Sequence, residues 1–266
     1  MEHATLLPHA ASDLDAGERR ANPDTLGASD LATEQTSSWE QLVLASGGLF
    51  VVVSLVLAPL APMPPGPEAT SAQLTAWYQS HGPAVLLQAS LRGLAGLLQL
   101  IFMAGLASLV ARTERRIGTL ALLAFGGALG GTLMVLLSNA VIATTALVVE
   151  PGVDAGVVRT LDTLSRMLTT FDDPPWALGY AAASLALLQI RAVPAWLGGL
   201  GLLAALLLLV HAATGPSAVA SNPLPFMLGL LGFALSLLWL LATSGVLVWR
   251  SRARRTGSRA TPAGVY

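Results

Sequence analysis

Six apolar runs separated by polar punctuation organise this chain, at about residues 41–60, 84–111, 117–149, 174–190, 195–213 and 224–249. At about 1.5 Å rise per residue, a run of about 20 residues crosses a hydrocarbon core of about 30 Å as a helix. The third run is longer than a bilayer requires and must tilt or protrude; the fourth is short. Residues 1–38 are polar and acidic (Asp13, Asp15, Glu18, Asp24, Asp30, Glu34) and show no apolar periodicity, which predicts a disordered tail. After the first run, the Pro-rich APMPPGPE cannot continue a helix. The stretch behind it predicts a short interfacial helix with Leu74, Trp77 and Tyr78 on one side.

Between the third and fourth runs, Val153, Val157, Leu161, Leu164, Leu168 and Phe171 recur at three- and four-residue steps, while Arg159, Asp162 and Arg166 fall elsewhere. That pattern predicts an amphipathic helix, too polar to span, lying on the membrane surface or over the bundle. Asp172-Asp173-Pro174-Pro175 then reads as a helix start, with Asp173 at the N-cap and Pro174 in the first turn. In the third run, GGALGG places Gly126 and Gly130, and Gly127 and Gly131, four residues apart. This spacing strips a helix face of side chains so that another helix can approach closely. The fold class is therefore all-α: a polytopic membrane helix bundle of six transmembrane helices plus one extracytoplasmic amphipathic helix. It occupies residues 39–250, between the acidic tail and a basic tail, 251–266.

Composition agrees with lipid as the main solvent. Hydrophobic residues make up 54% of the 266, charged residues only 11%, and mean hydropathy is +0.67; soluble domains carry about 25% charged residues. There is no Cys, which excludes disulfides, thiolate catalysis and Cys-ligated metals. All fourteen basic residues are Arg, and their placement fixes an orientation. With the N-terminus inside, the inner side carries Arg19, Arg20, Arg112, Arg115, Arg116, Arg191, Arg250, Arg252, Arg254, Arg255 and Arg259, and the outer side only Arg159 and Arg166. The bias toward the cytoplasmic side predicts both termini in the cytoplasm.

The order of a Pro-rich loop, TAWYQSHGPAVLLQASLRGLAGLLQLIFMAGL and then RAVPAWLGGLGLLAALLLL resembles a bacterial family of multi-pass membrane proteins catalogued as domain of unknown function 4386. The matching features are A-W-Y at Ala76-Trp77-Tyr78, F-x-x-x-L at Phe102 and Leu106, and P-x-W-L-G-x-L-G at Pro194, Trp196, Leu197, Gly198, Leu200 and Gly201. The resemblance would cover roughly residues 41–250. It implies a helical fold in a bacterial inner (plasma) membrane and implies no activity.

Candidate chemistry begins at Arg92, a charge at membrane depth, where an unpaired guanidinium costs about 2.5–3.5 kcal/mol on insertion scales. Gln88, Arg92 and Gln99 fall within about 40° on a helical wheel, a polar stripe on a Leu-rich helix. The first expectation is a structural ion pair with Glu150, Asp154, Asp172 or Asp173; snorkelling and an anion- or solute-binding pocket are the alternatives. Asn139, alone among the polar residues of its run, demands a partner, and Gln88 or Gln99 is expected to supply it. Asp172 and Asp173 read first as a helix start, and His211 as an interfacial residue able to titrate near neutral pH. No His stands at ligand spacing to an acidic pair, so no metal site is expected.

Gly199-Leu200-Gly201-Leu202-Leu203-Ala204 fits a dinucleotide fingerprint only in letters: no strand precedes it and no acidic residue follows about twenty positions on. No cofactor is implied, and the confined arginines give no support for nucleic-acid binding. With no catalytic constellation, the leading expectation is a non-enzymatic membrane protein that binds a protein partner or senses the envelope. The alternative is a small-solute transporter with an outward-facing polar pocket around Arg92. An intramembrane enzyme would need Asp172, Asp173 or His211 converging on a cleft.

Overall fold

The computed structural model describes residues 23–57, 62–66, 68–113, 118–215 and 223–259, with side chains omitted at 23–39, 113, 223 and 254–259. Arg19, Arg20, Arg115 and Arg116 lie outside the described residues. Among the described residues, seven helices carry the fold: α1 (Pro23–Leu57), α2 (Ser71–Thr113), α3 (Thr119–Val148), α4 (Ala155–Phe171), α5 (Asp173–Gln189), α6 (Ala195–Thr214) and α7 (Pro223–Arg259). Five contain segments long and apolar enough to cross a membrane: Glu40–Leu57, Ser71–Arg112, Thr119–Val148, Ala195–Thr214 and Leu224–Ala253. Their outward faces are rows of large apolar side chains, such as Leu87, Leu94, Leu97 and Ile101 on α2.

Helix α5 is innermost. It packs against α3 on one flank and α6 on the other, and also touches α2 and α4. Its 17 residues include the buried Trp176, Ala177, Tyr180, Ala183 and Leu187. The α3–α5 crossing is close because glycine faces glycine. A Cβ on Gly127 would stand 2.5 Å from the Gly179 amide nitrogen and 2.5 Å from the Pro175 carbonyl. At the C-terminal end of α5, Arg191 N–H donates to Leu188 O (3.1 Å) and Ala192 N–H to Leu187 O (2.9 Å). This is a Schellman closure, and Arg191 occupies its left-handed position at φ 51°. The main core gathers Phe102, Met103, Leu187, Leu197, Trp239 and Leu240.

Three elements differ from what the sequence predicts, and α4 takes an orientation that its pattern leaves open. First, α1 begins at Pro23, so residues 23–38 are helical where a disordered tail is expected. Second, the expected interfacial helix and the second span are one helix, with Pro83 inside it. Leu74, Tyr78, Gly82, Val85 and Ala89 form a buried stripe that runs past the proline, while Pro83 itself is exposed on the other side. Packing of that stripe against Ala69 and Val158 compensates the backbone bond that proline deletes.

Third, α4 is rotated relative to its apolar stripe. Val157, Leu164 and Phe171 are 47%, 46% and 55% exposed, whereas Val158, Asp162 and Ser165 are buried. The polar face turns inward because its groups find partners there. Asp162 accepts from Tyr78 Oη (3.2 Å) and Arg166 Nε (2.7 Å), and Ser138 Oγ bonds Ser165 O (3.1 Å) and Thr169 Oγ1 (2.9 Å). Arg166 and Arg159 also donate to Pro65 O (2.8 Å) and Ala69 O (2.5 Å), tying the segment before α2 onto α4. Fourth, α7 continues to Arg259, beyond the apolar run, through the arginine-rich SRARR, whose residues are compatible with a helix.

Candidate functional site

The α4–α5 junction sets the site. Asp172 is the last cap of α4 and the N-cap of α5, one residue earlier than expected, and its side chain makes no capping bond. That releases the Asp172 carboxylate, 9% exposed, to a cavity. Asp173, the first residue of α5, hydrogen-bonds through Oδ2 to His211 Nδ1 in the last turn of α6. The same residues thus start a helix and line a site.

All seven helices contribute to this cavity of about 520 Å³. It contains six of the seven polar residues singled out in the sequence: Arg92, Gln99, Asn139, Asp172, Asp173 and His211. The seventh, Gln88, sits one turn before Arg92 and holds it. With its side-chain carbonyl turned toward the guanidinium, Gln88 accepts from Arg92 Nη2 at 2.8 Å and from Nε at 3.2 Å. No carboxylate among the described residues lies within 4.0 Å of Arg92. The expected ion pair is therefore not formed. Glu150 is exposed, Asp154 caps α4 by accepting from Gly156 N–H (2.7 Å), and Asp173 is taken by His211. A neutral partner on the same helix needs no close approach of two backbones, and it leaves guanidinium N–H groups to spare.

Asn139 is not bridged to Gln88 or Gln99 as expected. Gln99 Nε2 donates to Tyr180 Oη (2.5 Å), and Asn139 Nδ2 is buried with no hydrogen-bond partner among the described residues. An aromatic wall, which the sequence pattern alone does not announce, completes the lining. Trp176 and Tyr180 stack at 5.7 Å between ring centroids with 22° between planes, and behind the lining Tyr180 meets the core residue Trp239 edge-on at 5.4 Å. Trp176 and Tyr180 are one turn apart and continue the line of Asp172 and Asp173 down α5, a spacing visible in the sequence once the helix start is placed.

From one end to the other, the cavity changes character. Arg92, Asp172, Asp173 and His211 form its charged mouth; Ala95, Trp176 and Leu208 come next; Gln99, Tyr180 and Ser236 form the floor. Seven residues separate Arg92 from Gln99 and Asp173 from Tyr180, so mouth and floor are about 10 Å apart. No family model, curated protein or solved structure matches the chain.

The groups in the mouth can bind and orient a charged molecule, and the Asp173–His211 pair can hold a proton between a carboxylate and an imidazole. Asp172, Asp173 and His211 do converge, as an enzyme would require. Three of the cavity hydroxyls are hydrogen-bonded within the protein: Ser138 and Thr169 with each other and Ser165 O, and Ser236 with Phe233 O (2.7 Å). Among the described residues, no group of three or more His, Asp or Glu could hold a metal ion.

Proposed function

We propose that this chain is a six-span inner-membrane protein that binds a small solute in the cavity around Arg92, as a transporter or solute-responsive receptor. α5 counts as the sixth span: its 17 residues cover about 25 Å, and its neighbours α3 and α6 are both long enough to cross. The Arg distribution supports cytoplasmic termini, eleven inside against two outside. In that orientation α2 enters from outside, and the charged mouth opens to the outer half of the membrane. The resemblance to the bacterial multi-pass family supports the inner membrane as its location. One observation carries the reading: Arg92 and Asp172 line one cavity within a bundle of apolar helices, and neither is in an ion pair among the described residues. Uncompensated charge at membrane depth is costly, and functional pockets are where such charge is retained.

A thermal-shift screen of the detergent-purified full chain against small water-soluble metabolites tests this reading. A ligand that binds only the folded state raises its stability in proportion to ln(1 + [L]/Kd). At least one compound is expected to stabilise the protein and to lose that effect in Arg92→Gln. A screen without a stabilising compound, or stabilisation unchanged in both Arg92→Gln and Asp172→Asn, would overturn it.

A second reading, docking of a protein partner without a solute, is favoured by the outward apolar stripe of Val157, Leu164 and Phe171 on α4. Replacing all three by Ser should abolish co-purification of any such partner while leaving ligand-induced stabilisation intact.

A further inference from the structure

The charges in the mouth of the cavity narrow the solute class, given the solute-binding reading above. They divide into a satisfied set and an unsatisfied set. Asp173 and His211 satisfy each other. Among the described residues, Arg92 spends two N–H groups on Gln88 and has no acidic partner; Asp172 is about nine-tenths buried and has no basic one. The two are more than 4.0 Å apart, beyond ion-pair contact, yet both face the same space. One guanidinium and one carboxyl group, neither of them in an ion pair among the described residues, therefore stand at the same end of one cavity.

We propose that the ligand is a zwitterion of the amino-acid type with an apolar side chain. Its carboxylate would be bound by the Arg92 guanidinium, its ammonium by the Asp172 carboxylate, and its side chain by Trp176, Leu208 and Phe233. A simple anion would meet Arg92 but leave the Asp172 carboxyl without a cationic partner. A simple cation would do the reverse. A zwitterion satisfies both groups with no change of net charge in the cavity. Below the mouth, Ala95, Trp176, Leu208 and Phe233 give the cavity an apolar and aromatic stretch before Gln99 and Tyr180, which suits an apolar side chain. A cavity of about 520 Å³ is within the usual range for small-molecule sites, about 300–1,000 Å³.

The test uses the full chain in detergent and three probes of one shape: L-phenylalanine, phenethylamine, which lacks the carboxylate, and 3-phenylpropionate, which lacks the amine. L-Leucine serves as a second zwitterion. Equilibrium binding is expected to be saturable for phenylalanine or leucine, and at least tenfold weaker for the amine and the acid. Arg92→Gln and Asp172→Asn should each weaken zwitterion binding at least tenfold. Arg92→Gln should leave residual amine binding unchanged, and Asp172→Asn should leave residual acid binding unchanged. Should either variant fail to fold, the three-probe comparison on the unaltered chain decides alone. Amine or acid binding as tight as phenylalanine binding overturns the zwitterion but keeps the solute site. The zwitterion is likewise overturned, and the solute site kept, if neither amino acid binds while another screened metabolite stabilises the protein through Arg92. No stabilisation by any solute removes both proposals.

Discussion

The backbones of Gly127 and Gly179 meet where α3 crosses α5, with no side chain between them. A Cβ on Gly127 would fall 2.5 Å from the Gly179 nitrogen, inside any tolerable contact, and the obstructing atoms are backbone that cannot step aside. Gly126, its neighbour in sequence, has nothing within 4 Å of the same position. Gly127→Ala is therefore expected to destabilise the bundle by about 1–3 kcal/mol or more through overpacking. Gly126→Ala should be neutral or slightly stabilising, since alanine is the better helix former by about 1 kcal/mol. Unfolding midpoints of the two variants in one detergent check this; equal midpoints would refute the crossing.

Tyr78 anchors α2 to α4 through Asp162, a buried carboxylate that also receives Arg166. Tyr78→Phe keeps the ring and removes one bond to a charged acceptor. The expected cost is about 1.5–3 kcal/mol. Limited proteolysis provides the readout: cleavage near residues 62–70, held by Arg159 and Arg166, should accelerate in Arg166→Gln and less in Tyr78→Phe.

Arg191 closes α5 in a left-handed conformation that costs a side-chain-bearing residue about 1–2 kcal/mol. Arg191→Gly should raise the thermal midpoint, because glycine takes φ 51° without strain and the two closing hydrogen bonds are made by backbone. A lower midpoint would show that the Arg191 side chain contributes more than its backbone costs.

Because the chain has no cysteine, any introduced one is a unique reporter of sidedness. In intact cells, a membrane-impermeant maleimide should label Pro151→Cys, while Thr119→Cys and Arg191→Cys should label only after permeabilisation. Labelling of Arg191→Cys from outside would remove α5 from the spans and leave five.

Much of the framework was legible because a bilayer imposes one strong requirement, about 20 apolar residues per crossing. The starts of α3, α6 and α7 fall within two residues of the apolar runs that predict them. The polar stripe of Gln88, Arg92 and Gln99 was legible for the same reason: polarity is conspicuous against leucine. What escaped depends on partners far away in sequence. Pro83 reads as a break until the stripe of Leu74, Tyr78, Val85 and Ala89 is seen buried on both sides of it. The apolar stripe of α4 gives its amphipathicity but not which side faces the bundle; that was settled by hydrogen bonds to Tyr78 and Ser138, 84 and 27 residues distant. The acidic pair at 172–173 leaves a choice between helix start and chemistry; the structure places the pair both at the start of α5 and in the cavity lining.

One consequence concerns Asp172, which ends α4 and begins α5 with no loop residue between them. A hinge with no slack transmits torque. Any roll or tilt of α4, whose outer surface is exposed, would swing the Asp172 carboxylate relative to Arg92 and alter the spacing of the two charges. Conversely, a molecule drawing those charges together would pull on α4, so that occupancy deep in the bundle becomes readable as a change of attitude at its rim.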